Sequence, residues 1–135
     1  MIELRTKKIE KSVIINNLPD YNIRINLLNN NVRVSPNLYT ALGLDTNFIG
    51  VGCDRDNNKY YVCLSDESTG FKPNAKNLTF TNKKLVDDWK SWFNIDDAVT
   101  VLYLKVAFES PITQDELAYY QTEVLKTEVK KLELV

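Results

Sequence analysis

Residues 32–45, VRVSPNLYTALGLD, carry the clearest structural signals in the sequence. Its first three residues alternate apolar and charged side chains, as a half-buried strand does. Ser35 and Pro36 then form a strong helix start, because serine is a preferred N-cap and proline is favoured at the first helical position. Gly43 ends the helix, since glycine readily adopts the left-handed conformation that follows many helices. The stretch therefore predicts a strand, a short helix and a sharp stop.

A β-hairpin is predicted over residues 48–65. A two-residue turn at positions 57–58 suits it, because asparagine tolerates the positive φ of such turns. This turn places Cys53 opposite Val62 and gives the hairpin one apolar face. Cys53 and Cys63 are the chain's two cysteines, and the alternation of side chains sends them to opposite faces. We expect both thiols to stay reduced.

Outside this region the sequence predicts short strands and a polar loop. Strands are expected at residues 2–9, 11–15 and 23–27, where β-favouring residues recur. Residues 66–76 are polar except for one aromatic side chain, Phe71. Because it stands alone in a polar loop, Phe71 is a candidate contact residue.

The pattern of the first stretch recurs further along the chain. A short strand at residues 78–80 leads into a Thr81 or Asn82 cap, a helix over 83–93 and a long strand over 99–108. We interpret this as a second copy of a strand–helix–strand unit, with coincidence as the alternative. Trp89 lies on the apolar side of the second helix, so we expect it to be deeply buried.

An amphipathic helix is predicted at residues 112–134. Thr113 and Glu116 fit a capping box, and Pro111 precedes it. Apolar residues fall on one side of the helix, acids come early and lysines late, which suits the helix dipole. This helix either packs on the sheet or protrudes and pairs with its counterpart in another subunit.

The predicted fold class is α+β. We expect a small, predominantly antiparallel sheet or barrel, two short helices in the duplicated unit and the C-terminal amphipathic helix. One domain spans residues 1–135, with N-terminal strands at 1–30, the first unit at 31–65, the second at 77–108 and the helix at 112–134.

Composition argues against catalysis. The chain has no histidine, which is the commonest general base. Its two cysteines stand ten residues apart, whereas zinc ligands come in close pairs. Adjacent acids such as Asp87 and Asp88 point in different directions on a helix. The sequence therefore predicts no enzyme, no metal and no cofactor.

Charge and hydropathy limit the classes of partner that we expect for this chain. Seventeen basic and eighteen acidic residues give a net charge of −1, so no global basic field indicates nucleic acid. No apolar run approaches the roughly 20 residues that span a bilayer, and Met1 is not followed by a targeting pattern. We expect a cytoplasmic location without membrane contact.

A family resemblance covers residues 31–65, with a looser echo at 77–106. The sequence from Val32 through the 48–65 hairpin resembles the AbrB-type swapped-hairpin domain, and small phage-encoded proteins with two such units in tandem. Members dimerise by interleaving hairpins and bind DNA through arginine-bearing strand ends and loops. The resemblance implies a homo-oligomer, and the family's basic residues correspond here to Arg33, Arg55 and Lys59.

Two functions remain open. The first is a non-enzymatic, DNA-associated protein, either a regulator or a single-strand binder. The alternative is a virion structural or assembly protein that oligomerises or docks on another protein. Fifteen asparagines with many lysines and isoleucines suggest an A- and T-rich coding sequence, which is common in bacteriophages and in some bacteria. If the chain is phage-encoded, we expect it in host cytoplasm or in the virion. The candidate nucleic-acid contacts are Arg33, Arg55, Lys59, Phe71, Lys72, Lys76, Lys83 and Lys84.

Overall fold

One antiparallel sheet and two helices make up the fold. The computed structural model describes residues 18–129, so the strands expected at 2–9 and 11–15 lie outside the described range. The elements in chain order are β1 Asn22–Asn26, β2 Asn31–Val34, α1 Pro36–Leu42, β3 Phe48–Asp54, β4 Lys59–Ser65, β5 Thr79–Thr81, α2 Lys83–Trp92, β6 Val99–Val106, β7 Ile112–Gln114 and β8 Leu117–Val129.

The strand order mixes distant parts of the chain. The sheet runs β3-β4-β8-β6-β1-β2-β5, and β7 pairs with β8. Neighbouring strands within the described residues are antiparallel. β1 therefore lies between its chain neighbour β2 and the distant β6, and the predicted α+β class with an antiparallel sheet is confirmed.

The sheet is strongly curled, and the segment around Phe71 links its two end strands. Phe71 and Ile49 exchange two backbone hydrogen bonds of 2.8 and 2.9 Å, which attach this segment to β3. The Phe71 ring stacks on Phe80 of β5, with 5.1 Å between ring centroids. Gly70 permits the close approach, because a Cβ there would lie 2.6 Å from the Cβ of Phe48.

The core lies between the inner face of the sheet and the two helices. Every second residue of β1, β2 and β6 points into it, as strand alternation requires. Trp89 of α2 is 1% exposed, so its predicted deep burial is confirmed. The core residues are Ile23, Ile25, Val32, Val34, Leu38, Leu42, Leu44, Ile49, Val62, Leu85, Val86, Trp89, Leu102, Leu104 and Val106.

The two helices begin in the same way. The Ser35 hydroxyl caps α1 by accepting a hydrogen bond from the backbone N–H of Leu38. The Asn82 side chain caps α2 by accepting from the N–H of Leu85, with a donor–acceptor distance of 2.9 Å. Ser35 as the first cap is confirmed, and of the two residues considered for the second cap, Asn82 is the one that acts.

The helices also end alike. After α1, the N–H of Leu44 donates to the Tyr39 carbonyl, and Gly43 has φ 62°. After α2, the N–H of Ile95 donates to the Lys90 carbonyl, and Asn94 has φ 54°. The strands that precede the two helices also face each other, because β2 pairs with β5.

The predicted register of the β3–β4 hairpin is wrong by two residues. Cys53 lies opposite Tyr60, not Val62, and Asp54 lies opposite Lys59. The connection is a four-residue loop in which Asn58 alone has positive φ, so the two-residue turn does not form. A shift of two residues preserves the alternation of faces. Cys53 is exposed, Cys63 is buried and both are reduced, as predicted.

The predicted C-terminal helix is wrong in the described residues, which form strands. Residues 113–116 resemble a capping box, but Asp115 and Glu116 have φ of 53° and 66° and form the tight turn between β7 and β8. β8 then pairs with β4, β6 and β7. Its tyrosines, threonines and valines suit a pleated surface, and three strand partners outweigh the weak helical pattern.

Candidate nucleic-acid interface

The predicted lysines on α2 each stand beside an aspartate of the same helix. Lys83 and Lys84 are exposed at its first turn, as expected. The Lys83 ammonium lies 2.7 Å from the Asp87 carboxylate, and the Lys84 ammonium lies 3.7 Å from Asp88. Residues four apart are neighbours on a helix, so each positive charge stands beside a negative one. This pair of lysines offers little net positive charge to an anion.

The predicted loop residues are largely occupied with packing. Phe71 is half-buried between Ile49 and Phe80, as described above. The Lys72 ammonium lies 5.4 Å from the centroid of the Phe48 ring, within the range of a cation–π contact. Lys76 is exposed in the same loop.

The predicted hairpin-tip residues remain at the surface. Arg55 is the first residue of the four-residue loop, Lys59 is the first residue of β4 after it, and both are exposed. Lys59 lies opposite Asp54 across the hairpin. Arg55 lines a groove of about 440 Å³ whose lining includes the acidic Asp88 and the indole of Trp92. Acids therefore accompany the basic residues at this tip as well.

Arg33 belongs to a different arrangement, which we call the outer-face row. It lies opposite Arg24 on β1, Arg24 lies opposite Tyr103 on β6, and Tyr103 lies opposite Lys126 on β8. Directly opposed residues share a face of a sheet. Their neighbours Ile23, Ile25, Val32 and Val34 point into the core. The row therefore crosses four strands on the face that points away from the core.

Tyr103 contacts the side chains on both of its sides in the row. Arg24 Nε donates to the Tyr103 hydroxyl at 3.3 Å, and this hydroxyl donates to Glu128 Oε2 at 3.1 Å. The Lys126 ammonium lies 4.7 Å from the centroid of the Tyr103 ring, and the Arg24 guanidinium carbon lies 6.0 Å from it. The ring is only 8% exposed. Tyr103 thus orients two cations and has little surface left for stacking on a base.

The two arginines are an energetically costly pair. Like charges directly opposite each other on antiparallel strands destabilise a sheet. Within residues 18–129, neither Arg24 nor Arg33 forms an ion pair with an acid. The carboxylate of Glu128 reaches Tyr103 rather than a guanidinium. A bound anion between the two guanidinium groups would relieve this repulsion.

A shallow groove lies beside the arginines. It measures about 220 Å³ and is lined in part by Arg24, Arg33, Tyr103, Asn22 and Ser35. Asp20 also lines it and is the groove's one acid, so two guanidinium groups face one carboxylate. The groove is open and large enough to admit a phosphate-sized group, and its two guanidinium groups favour an anion.

Sequence reasoning found Arg33 and missed Arg24, Tyr103 and Lys126. A signal was present in the first two strands, because Ile-Arg-Ile and Val-Arg-Val each place one arginine between two apolar residues. In paired strands with buried apolar residues, both arginines must share the outer face. The sequence could not place Tyr103 and Lys126 in the candidate site, because β6 and β8 reach this part of the sheet only by pairing between distant segments of the chain.

Comparison with known proteins adds no candidate function. No protein-family model matches the chain, and no curated protein or solved structure is significantly similar to it. Neither helix in residues 18–129 has the length and apolar character needed to cross a bilayer. No group of three potential metal ligands occurs within the same residues. The functional argument therefore rests on the geometry of the outer-face row.

Proposed function

We propose that this chain is a non-enzymatic, DNA-associated protein that contacts nucleic-acid phosphates through the outer-face row of Arg24, Arg33 and Lys126. The observation that carries the proposal is the directly opposed pair Arg24 and Arg33, which no acid of the described residues neutralises. The resemblance to AbrB-type domains also implies a contact through Arg33. A phage origin and a location in host cytoplasm or virion belong to the same proposal.

Phosphate chemistry suits this pair. Arginine presents several N–H donors in a planar fork that matches phosphate oxygens, and two adjacent forks can hold one phosphate or two successive ones. Tyr103 limits the motion of the Arg24 side chain through its hydroxyl. Because this donor is already oriented, less side-chain entropy is lost on binding. The row reads no base edge, so we expect affinity without strong sequence preference.

The salt dependence of binding follows from the number of cations. Each phosphate neutralised lowers the slope of log affinity against log salt by about 0.9 on duplex and about 0.7 on single strands. Arg24, Arg33 and Lys126 together predict slopes of about −2.7 and −2.1. Affinity is therefore weak at physiological salt and strongest at low salt.

The test measures binding of fluorescently labelled single-stranded and duplex DNA by anisotropy at low and physiological salt. Arg24→Ala with Arg33→Ala should lower affinity at low salt at least tenfold and make the slope shallower by about 1.8 on duplex. Lys83→Ala with Lys84→Ala removes the same number of charges from the α2 pair and should change affinity less than about threefold. Arg55→Ala with Lys59→Ala tests the hairpin tip in the same assay.

Two results would overturn the proposal. Absence of binding to either DNA at low salt excludes DNA association altogether, because electrostatic attraction is strongest there. Equal losses from the arginine and α2 lysine variants would show that total charge matters and the row does not. Circular dichroism and thermal unfolding of each variant establish that the fold is retained.

The second candidate function is a structural or assembly protein that acts by oligomerisation. The observation that favours it is the exposure of three apolar side chains, Val124, Leu125 and Val129, along the last part of β8. A strand edge that carries exposed apolar side chains and has no strand neighbour within residues 18–129 favours association. A protein that forms stable multimers and fails to bind DNA belongs to this class.

A further inference from the structure

Among the strands of residues 18–129, the last part of β8 has a neighbour on one edge only. β4 pairs with β8 as far as Thr122, whereas β6 pairs with it as far as Val129. On the edge that β4 occupies up to Thr122, no strand of residues 18–129 pairs with positions 123–129. An exposed strand edge presents unpaired N–H and C=O groups that favour pairing with another strand.

The side chains of this edge lack the usual protection against association. Val124, Leu125 and Val129 are 41%, 37% and 56% exposed. Lysines and prolines commonly prevent edge pairing. Positions 123–129 contain no proline, and their one lysine, Lys126, has its ammonium group over the Tyr103 ring. Within the described part of the chain the edge is therefore open, and exposed apolar side chains alternate along it with three charged ones.

The charge pattern of the edge is complementary to itself. In an antiparallel pair centred on Thr127, Lys126 of each copy lies opposite Glu128 of the other. Leu125 lies opposite Val129, and the two Thr127 side chains face each other. Opposite charges, apolar pairs and threonine pairs across antiparallel strands are each stabilising. A twofold axis at Thr127 therefore pairs Lys126 with Glu128 in both directions and brings Leu125, which lies at a bulge of β8, beside Val129.

We propose that two copies of this chain associate through the edges of β8, antiparallel and centred on Thr127, to form one continuous sheet. A twofold axis perpendicular to the sheet keeps both outer faces on the same side. The two outer-face rows would then lie on one surface, with Lys126 of each copy near the axis. The inference concerns association in the absence of nucleic acid, so it stands or falls separately from DNA binding.

Sedimentation equilibrium from micromolar to about 1 mM protein tests the association. We expect the mass to rise with concentration from 15.6 kDa towards twice that value. Lys126→Glu sets two glutamates opposite each other across the interface, and Glu128→Lys sets two lysines opposite each other. Each single variant should weaken dimerisation at least tenfold, and the double variant, which exchanges the two charges, should restore it.

The double variant distinguishes contacts between two copies from the contacts that Lys126 and Glu128 make within one copy. Lys126 and Glu128 both contact Tyr103, so a single variant also changes the row. The double variant does not restore the original contacts of these two positions with Tyr103. It does place opposite charges across from each other between the two copies. Lys76→Glu makes the same charge change on an exposed loop and should leave dimerisation unaltered.

Three outcomes would overturn the proposal. The first is a wild-type protein that stays at 15.6 kDa up to about 1 mM. The second is a double variant no better than the single ones. The third is hydrogen exchange at the amides of residues 123–129 that is slow and independent of protein concentration, because another segment of the same chain then occupies the edge.

Discussion

Two groups of basic side chains on this molecule differ in what surrounds them. On α2, Lys83 and Lys84 each stand beside an aspartate one turn along the helix. In the outer-face row, Arg24 and Arg33 stand beside each other, with no ion-pair partner in residues 18–129. The helical pairs stabilise their own element, whereas the arginine pair weakens its sheet. Basic residues that cost stability are better candidates for a binding role than basic residues that contribute to it.

The largest expected effect concerns the buried side of α2, opposite its lysines. Trp89→Ala should lower the free energy of unfolding by about 3–5 kcal/mol, because it leaves a large cavity in the core. Chemical denaturation measures this loss. The Trp89 indole N–H is buried without a hydrogen-bond partner among the described residues. Trp89→Phe removes that N–H and should cost clearly less, and equal losses from both variants would contradict this account.

A smaller effect of opposite sign is expected from the arginine pair. Arg33→Ala removes one of two directly opposed like charges and should raise the free energy of unfolding by about 0.2–1 kcal/mol. The same variant should weaken binding of DNA. Denaturation at low and high salt provides the measurement, since the gain should shrink when salt screens the repulsion. A destabilised Arg33→Ala would show that Arg33 has a structural partner.

For the α2 lysines we expect a change in the free energy of unfolding of the opposite sign. Lys83→Ala and Lys84→Ala each remove a surface ion pair between residues four apart, which is worth about 0.3–0.5 kcal/mol. Because both lysines stand at the positive N-terminal end of the helix dipole, the fall in the free energy of unfolding should stay below that value. The loss should be smaller for Lys84, whose ammonium lies farther from its carboxylate. Thermal unfolding of both variants in the same buffer checks the order. A gain in stability on losing either lysine would remove the contrast between the two groups.

The smallest effect concerns the loop that carries Lys72 and Lys76. The hydroxyls of Ser68 and Thr69 donate to the Asp66 carboxylate, and these bonds hold its pKa below the usual 3.8. Because the folded pKa is lowered, the contribution to stability is complete above the unfolded pKa and is lost as pH falls through the folded value. Wild type should therefore exceed Asp66→Asn in thermal stability at neutral pH. The difference should vanish well below pH 4, and one that persists there would contradict this role.

Local patterns predicted the local parts of the fold. Ser35, Gly43 and Asn82 are a cap, a stop and a cap because each acts on a backbone group within a few residues of itself. The alternation that buries Ile23 and Ile25 is equally local. These features follow from the chemistry of neighbouring residues, so a single sequence suffices to find them.

Features set by distant pairing escaped prediction. Residues 117–129 fit an apolar helical stripe and a pleated strand about equally well, and β4 and β6 decide between them. The candidate site was predicted only in part for the same reason. Arg33 was predicted from the resemblance to AbrB-type domains, while Tyr103 joined it through a hydrogen bond to Arg24 that spans 79 positions in sequence.

The position of β1 between β2 and β6 has a kinetic consequence. Contacts between residues far apart in sequence form slowly, because a long loop must close before they stabilise anything. Arg24 meets Arg33 as soon as the first hairpin forms, but Tyr103 and Lys126 reach them only when the last strands dock. During synthesis the two arginines therefore stand next to each other before the other members of the row arrive. Completion of the outer-face row and completion of folding are the same late event.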